Sequence, residues 1–175
     1  MSRKGRGLKP HTWSSLIKKP IHFLAFGLGS GLITPASGTW GTLLGLILML
    51  PFWKFLLFHP VIAVFFLWIS FDAGVFFCDK TAKEIGIHDF GGIVWDEFFG
   101  VWFLMLLMPQ NLFLKLGLGY SALVCFILFR IFDVIKPPPI KQIDLKVGGG
   151  FGIMVDDLIA AIDALIILWL VQFFV

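Results

Sequence analysis

The chain has 175 residues, enough for one domain, of which 58% are hydrophobic, 17% aromatic and only 14% charged. An ordinary soluble domain is about 25% charged, so this composition lacks the polar surface that a soluble core needs and describes an integral membrane protein. The net charge of +3 comes from basic residues spread along the edges of apolar runs, a distribution that speaks for a membrane surface and against nucleic acid as a partner.

Residues 1–20 are polar and basic, with Arg3, Lys4, Arg6, Lys9, Lys18 and Lys19. They read as a cytoplasmic tail, and no long apolar core follows soon enough for a removable signal. Residues 21–175 read as a single membrane domain. Its first part is apolar but punctuated by Gly27, Gly29, Gly31 and Pro35, which predicts a short helix or re-entrant segment ending in a loop, since irregular backbone at membrane depth must be buried or line a cavity.

Spanning helices are predicted over 42–58, 61–77, 112–135 and 158–175. Residues 98–108 are too few to cross a core of roughly 30 Å at about 1.5 Å per residue, so a third span is predicted to start near Gly92. The expected fold is an all-α, polytopic helical bundle of about five transmembrane helices, or four plus a re-entrant N-terminal segment. Alternating spans place loops 78–97 and 133–157 on the side of the basic tail. Only Lys54 and Lys115 of the fourteen Lys and Arg then fall on the other side, which assigns the basic side to the cytoplasm. Cys78 and Cys125 lie in or beside apolar runs, as buried reduced thiols do.

The polar chemistry gathers on that same side. Asp96 and Glu97 are expected in the opening turns of a hydrophobic helix, Asp156 and Asp157 at the start of the last one. An acid there can simply offset the helix dipole, but paired acids at a membrane edge exceed what capping requires. Asp133 closes a helix, the wrong end for an acid, so Lys136 or a metal must offset it. Carboxylates without Cys or paired His suit a hard ion such as Mg²⁺.

Arg130, Lys136, Lys141 and Lys146 bracket the loop between the last two helices. Lys136, between Asp133 and the prolines 137–139, is the best candidate for a phosphate ligand, while the others equally satisfy the positive-inside rule. Two glycine-rich stretches precede helices, one with Gly38 and Thr39, the other with Gly150, and either could offer N–H groups to an anion. His88 beside Asp89 is a candidate acid/base pair. His11, His22 and His59 suggest no chemistry. Asp72 and Asp163 sit within helices, Asp163 about two turns beyond Asp156.

Taken together, these residues resemble the bacterial phosphatidylglycerophosphatase A family. The matching stretches are Gly27 to Gly31 and Gly38-Thr39-Trp40-Gly41, then Ile87-His88-Asp89 and Ile93 to Glu97. Further on they are Phe129 to Asp133 with Lys136 to Pro139, and Gly150 to Asp157. Ser37 departs from the pattern, where proline is expected before Gly38-Thr39. The resemblance implies a Mg²⁺-dependent phosphatase that removes the terminal phosphate of the phospholipid phosphatidylglycerophosphate. The metal ligands would be Asp96, Glu97, Asp133, Asp156 and Asp157, and the catalytic residues Glu97, Asp133, Asp156, Asp157 and His88. Lys136, Arg130, Thr39, Gly38 and Gly150 would contact substrate. Attack by water and attack by an aspartate both fit. A small Mg²⁺-binding transport protein is the alternative, and it would need acids deep in the membrane, for which Asp72 and Asp163 are the candidates.

Overall fold

The computed structural model describes residues 19–87, 90–136 and 148–174. Every regular element among them is helical. A short α1 (Pro20–Ala25) leads into a 3₁₀ turn (Gly27–Leu32), followed by α2 (Ser37–Leu57), α3 (Pro60–Ile85), α4 (Trp95–Leu107), α5 (Gln110–Ile135) and α6 (Gly149–Val171). This is the expected all-α bundle, with the short N-terminal helix and turn where a short or re-entrant segment was read. Three helices, α2, α3 and α5, are long and apolar enough to cross a membrane. The 23-residue α6 is long enough as well, but Asp156, Asp157 and Asp163 interrupt its apolar face.

The third predicted span differs. Its helix starts at Trp95 rather than near Gly92 and has 13 residues, about 20 Å of rise. It runs inside a sheath of neighbours, because α2, α3, α5 and α6 all pack around it. Phe98, Val101, Leu104 and Met105 are almost wholly buried there. By contrast, Phe52, Phe55, Phe65, Trp68 and Ile69 on α2 and α3 point outward. A bundle with apolar side chains on its outer face belongs in lipid.

In lipid the close fit of helices, rather than water exclusion, holds a bundle together. A small-residue stripe on α2 supplies it against α4. A Cβ at Gly41 would lie 2.7 Å from Val94 Cβ, and one at Gly45 would lie 3.0 Å from Phe98 Cα. Two tryptophans lock the same pair. Trp102 Nε1 donates to the Gly45 carbonyl and Trp53 Nε1 to the Met105 carbonyl, both at 2.7 Å. Four residues after Met105 stands Pro109, which has no N–H to complete the helix bond. Trp53 therefore satisfies a carbonyl that α4 itself leaves open.

The N-terminal segment is tied to the far end of α3. Lys19 Nζ and His22 Nε2 lie 2.7 and 3.1 Å from Glu84 Oε2. His22, which suggested nothing in the sequence, is thus buried beside an acid from α3. The Val94 amide donates to the Ala25 carbonyl at 2.9 Å, and Ser37 Oγ to the Gly91 carbonyl. These bonds fix where α2 and α4 begin.

Gly41→Val should destabilise the protein by about 1–3 kcal/mol through overpacking. Gly119→Val, where nothing lies within 4 Å of an added Cβ, should not. Thermal unfolding midpoints in detergent check both.

Candidate active site

Four helix ends meet on one side of the bundle: the amino ends of α2, α4 and α6 and the carboxyl end of α5. The amino end of α4 carries Asp96 and Glu97 in its first turn. Trp95 anchors that turn, its indole N–H donating to the Ser70 carbonyl at 3.2 Å and its rings packing on Phe77, Phe98 and Trp102.

The last helix begins at Gly149, nine residues before the expected start. Asp156 and Asp157 therefore lie about two turns inside α6, not at its opening. The glycines explain the difference. Gly150 packs directly on α3, where a Cβ would strike the Val75 carbonyl and come within 2.5 Å of the Asp79 amide. Its N–H donates to Asp79 Oδ1 at 3.3 Å. The stretch read as a possible anion loop is helix, and the Gly150 N–H expected to contact substrate has a partner on α3. Dipole compensation at a helix start also no longer accounts for Asp156 and Asp157, which are both buried.

Adjacent positions on a helix diverge by about 100°, and the two aspartates part accordingly. One oxygen from each of Asp96, Glu97 and Asp157 falls within 4.8 Å of the others. Asp156 turns instead to Lys136, Oδ2 to Nζ 3.3 Å. Asp133 was expected to be offset by Lys136 or a metal, but Arg130 pairs with it, Nη1 to Oδ2 2.6 Å. The i,i+3 spacing was a readable signal for that pair. Of five expected metal ligands, three converge, while Asp133 and Asp156 stand beside them, each with a cation.

Cationic groups border the acids. Lys136 follows α5 in a left-handed backbone conformation, φ 43°. Burial works against its charge, yet the carboxylates of Asp156, Asp157 and Asp133 outweigh that and hold the ammonium above its ordinary value. Arg130 Nη1 also donates to Thr42 Oγ1 at 3.3 Å. Gly38 opens α2 against this group: a Cβ there would collide with Glu97 Oε1 and lie 3.2 Å from Arg130 Nη1. The amino end of α2 thus faces the acids, with Thr39 half-buried in the same turn. His88, Lys141 and Lys146 lie outside the described residues. Thr42 went unnoticed in the sequence, since one hydroxyl in an apolar helix gives no signal of its own.

Glu97 Oε2 and Asp157 Oδ2 are shut off from solvent and have no hydrogen-bond partner among the described residues. Shielded carboxylate oxygens at such spacing repel strongly at low dielectric. A cation between them removes the repulsion. The donors are all hard oxygens, so the set fits Mg²⁺.

The chain is thus an all-α bundle with an apolar outer face and, at one end, a shielded carboxylate cluster with Arg130 and Lys136 beside it. The family model for phosphatidylglycerophosphatase A matches residues 23–172. The chain is 44% identical over 155 residues to phosphatidylglycerophosphatase A of Haemophilus influenzae, covering 88% of this chain and 90% of that protein. It is 38% identical over 156 residues to phosphatidylglycerophosphatase A of Escherichia coli, covering 89% and 85%. No solved structure matches it. The chain belongs to the phosphatidylglycerophosphatase A family.

Removing one charge from the cluster should separate stability from ion binding. In EDTA, Glu97→Gln and Asp157→Asn are expected to melt higher than the unsubstituted protein, because each relieves repulsion between buried acids. Added Mg²⁺ should stabilise the unsubstituted protein, by about 2.7 kcal/mol at a hundred times the Kd, and both variants far less. Lower melting of the variants in EDTA would contradict the repulsion.

Proposed function

We propose that the chain hydrolyses the terminal phosphomonoester of phosphatidylglycerophosphate to phosphatidylglycerol, with Mg²⁺, at the cytoplasmic face of the bacterial inner membrane. The observation that carries this reading is the convergence of Asp96, Glu97 and Asp157 beside Arg130 and the opening turn of α2. Family membership supports the reaction, and the excess of Lys and Arg on the side of the site supports the cytoplasmic face.

A phosphomonoester is doubly charged near neutral pH and gains charge on its oxygens as the bond to phosphorus breaks, so the site must offer fixed positive charge. Arg130 supplies a planar fork that matches phosphate oxygens, and Lys136 a point charge at the mouth. The amino end of α2 adds a helix dipole of the same sign. Asp133 and Asp156 keep the two cations in place. Asp96, Glu97 and Asp157 would hold Mg²⁺, which supplies Lewis-acid polarisation of phosphate oxygens and an acidified water. The lipid tails need no pocket of their own, because the outer faces of α2, α3 and α5 already lie against acyl chains.

The described residues do not favour the transport alternative. Asp72 is exposed on the outside of α3 and Asp163 is half-buried in α6.

Detergent-purified protein should release phosphate from phosphatidylglycerophosphate with Mg²⁺ and not with EDTA. Asp157→Asn, still folded, should reduce release by at least about a hundredfold. In sealed vesicles, activity should follow exposure of the cytoplasmic face. Absence of release from the unsubstituted protein under all conditions would overturn the reading, and release that survives Asp157→Asn would remove the metal cluster from it.

A further inference from the structure

Thr42 lies one helical turn past Gly38, on the side of α2 that meets Arg130, and none of its surface is accessible. Its hydroxyl carries a single hydrogen, which is given to the Gly38 carbonyl at 2.9 Å, the back-bond that threonine makes inside helices. Toward any other group the oxygen is therefore an acceptor. Arg130 Nη1 meets it at 3.3 Å, and the same nitrogen reaches Asp133 Oδ2 at 2.6 Å.

Both hydrogens of one guanidinium nitrogen are thereby engaged. Asp133 alone would leave the fork free to swing, since an i,i+3 pair on one helix turns with either side chain. Thr42 adds a bond from a second helix. Gly38 completes the seat, because a Cβ there would crowd Nη1 and Nη2 at 3.2 and 3.4 Å. The guanidinium is held by α2 on one side and by its own helix on the other, and among the described residues its remaining N–H groups meet no partner, which leaves them for a ligand.

We propose that Thr42 is a positioning residue for phosphate binding: its hydroxyl oxygen sets the orientation of Arg130, so that Nη2 and Nε meet the phosphate oxygens without first reordering. The inference rests on the reading of Arg130 as a phosphate ligand. It assigns to α2 a part in substrate binding beyond its first turn, through a side chain that never touches the substrate.

The test compares Thr42→Val, which keeps shape and loses the hydroxyl, with Thr42→Ser, which keeps the hydroxyl. Each is assayed for phosphate release from phosphatidylglycerophosphate in mixed micelles and for inhibition by inorganic phosphate. Thr42→Val should raise both KM and the phosphate inhibition constant about tenfold, with kcat changed by no more than about threefold, and Thr42→Ser should resemble the unsubstituted protein. If Thr42→Val melts below the assay temperature, Thr42→Ala takes its place. Unchanged KM and phosphate inhibition in a folded variant without the hydroxyl would overturn the proposal, as would equal losses in Thr42→Ser and Thr42→Val. Arg130→Lys separates this proposal from the reading beneath it. Unchanged values there would overturn Arg130 as the phosphate ligand, and the role of Thr42 with it. Raised values there beside an unaffected Thr42→Val would overturn Thr42 alone.

Discussion

Three carboxylates from two helices share a space too small for their charges, in a bundle that lipid surrounds. Asp96 and Glu97 arrive on α4 and Asp157 on α6, with one oxygen of each inside 4.8 Å of the others. Ionised together without a cation, they would repel strongly at low dielectric. The architecture of this end of the molecule answers that repulsion. Arg130 and Lys136 stand over the neighbouring acids Asp133 and Asp156, the amino end of α2 closes on Glu97 through Gly38, and the three remaining carboxylates are those we propose to hold a divalent cation.

Holding such a cluster requires that α4 cannot slide. A helix of 13 residues has too little length to anchor itself across a bilayer, so its neighbours fix it. Trp53 and Trp102 bond α4 and α2 across their contact, while Trp95 bonds it to α3. The stripe of glycines on α2 brings the backbones together, and Gly150 does the same where α6 meets α3. Small residues and indole N–H groups are what a lipid-embedded bundle can use in place of a hydrophobic driving force. Close fit in the apolar layer thus determines the spacing of the polar one.

Much of this was legible in the residues. The apolar runs gave the helices, and charge asymmetry gathered the acids and bases on one side. Of the motifs that carry the family resemblance, the structure brings together Gly38, Asp96, Glu97, Arg130, Asp133, Lys136, Asp156 and Asp157. What the sequence hid was pairing between distant elements. Asp133 was expected to face Lys136 or a metal, and its ion pair with Arg130 was missed because Arg130 and Lys136 are equally near in sequence and only the turn of α5 distinguishes them. The start of α6 was misplaced because glycine is a poor helix former by propensity. Its use here is contact with α3, which no local pattern reveals. The start of α4 was also set too early, near Gly92 instead of at Trp95. His22 and Thr42 carried no signal, since their partners Glu84 and Arg130 lie far along the chain.

The central claim is that the carboxylates of α4 and α6 form one divalent-cation site, and Mn²⁺ in place of Mg²⁺ tests it most directly, because its electron paramagnetic resonance signal distinguishes bound from free ion. Titrated into detergent-purified, metal-free protein, Mn²⁺ should bind saturably and be displaced by Mg²⁺, and a folded Glu97→Gln/Asp157→Asn double variant should leave the ion in solution. Binding that persists undiminished in the double variant would place the cation elsewhere and contradict the account.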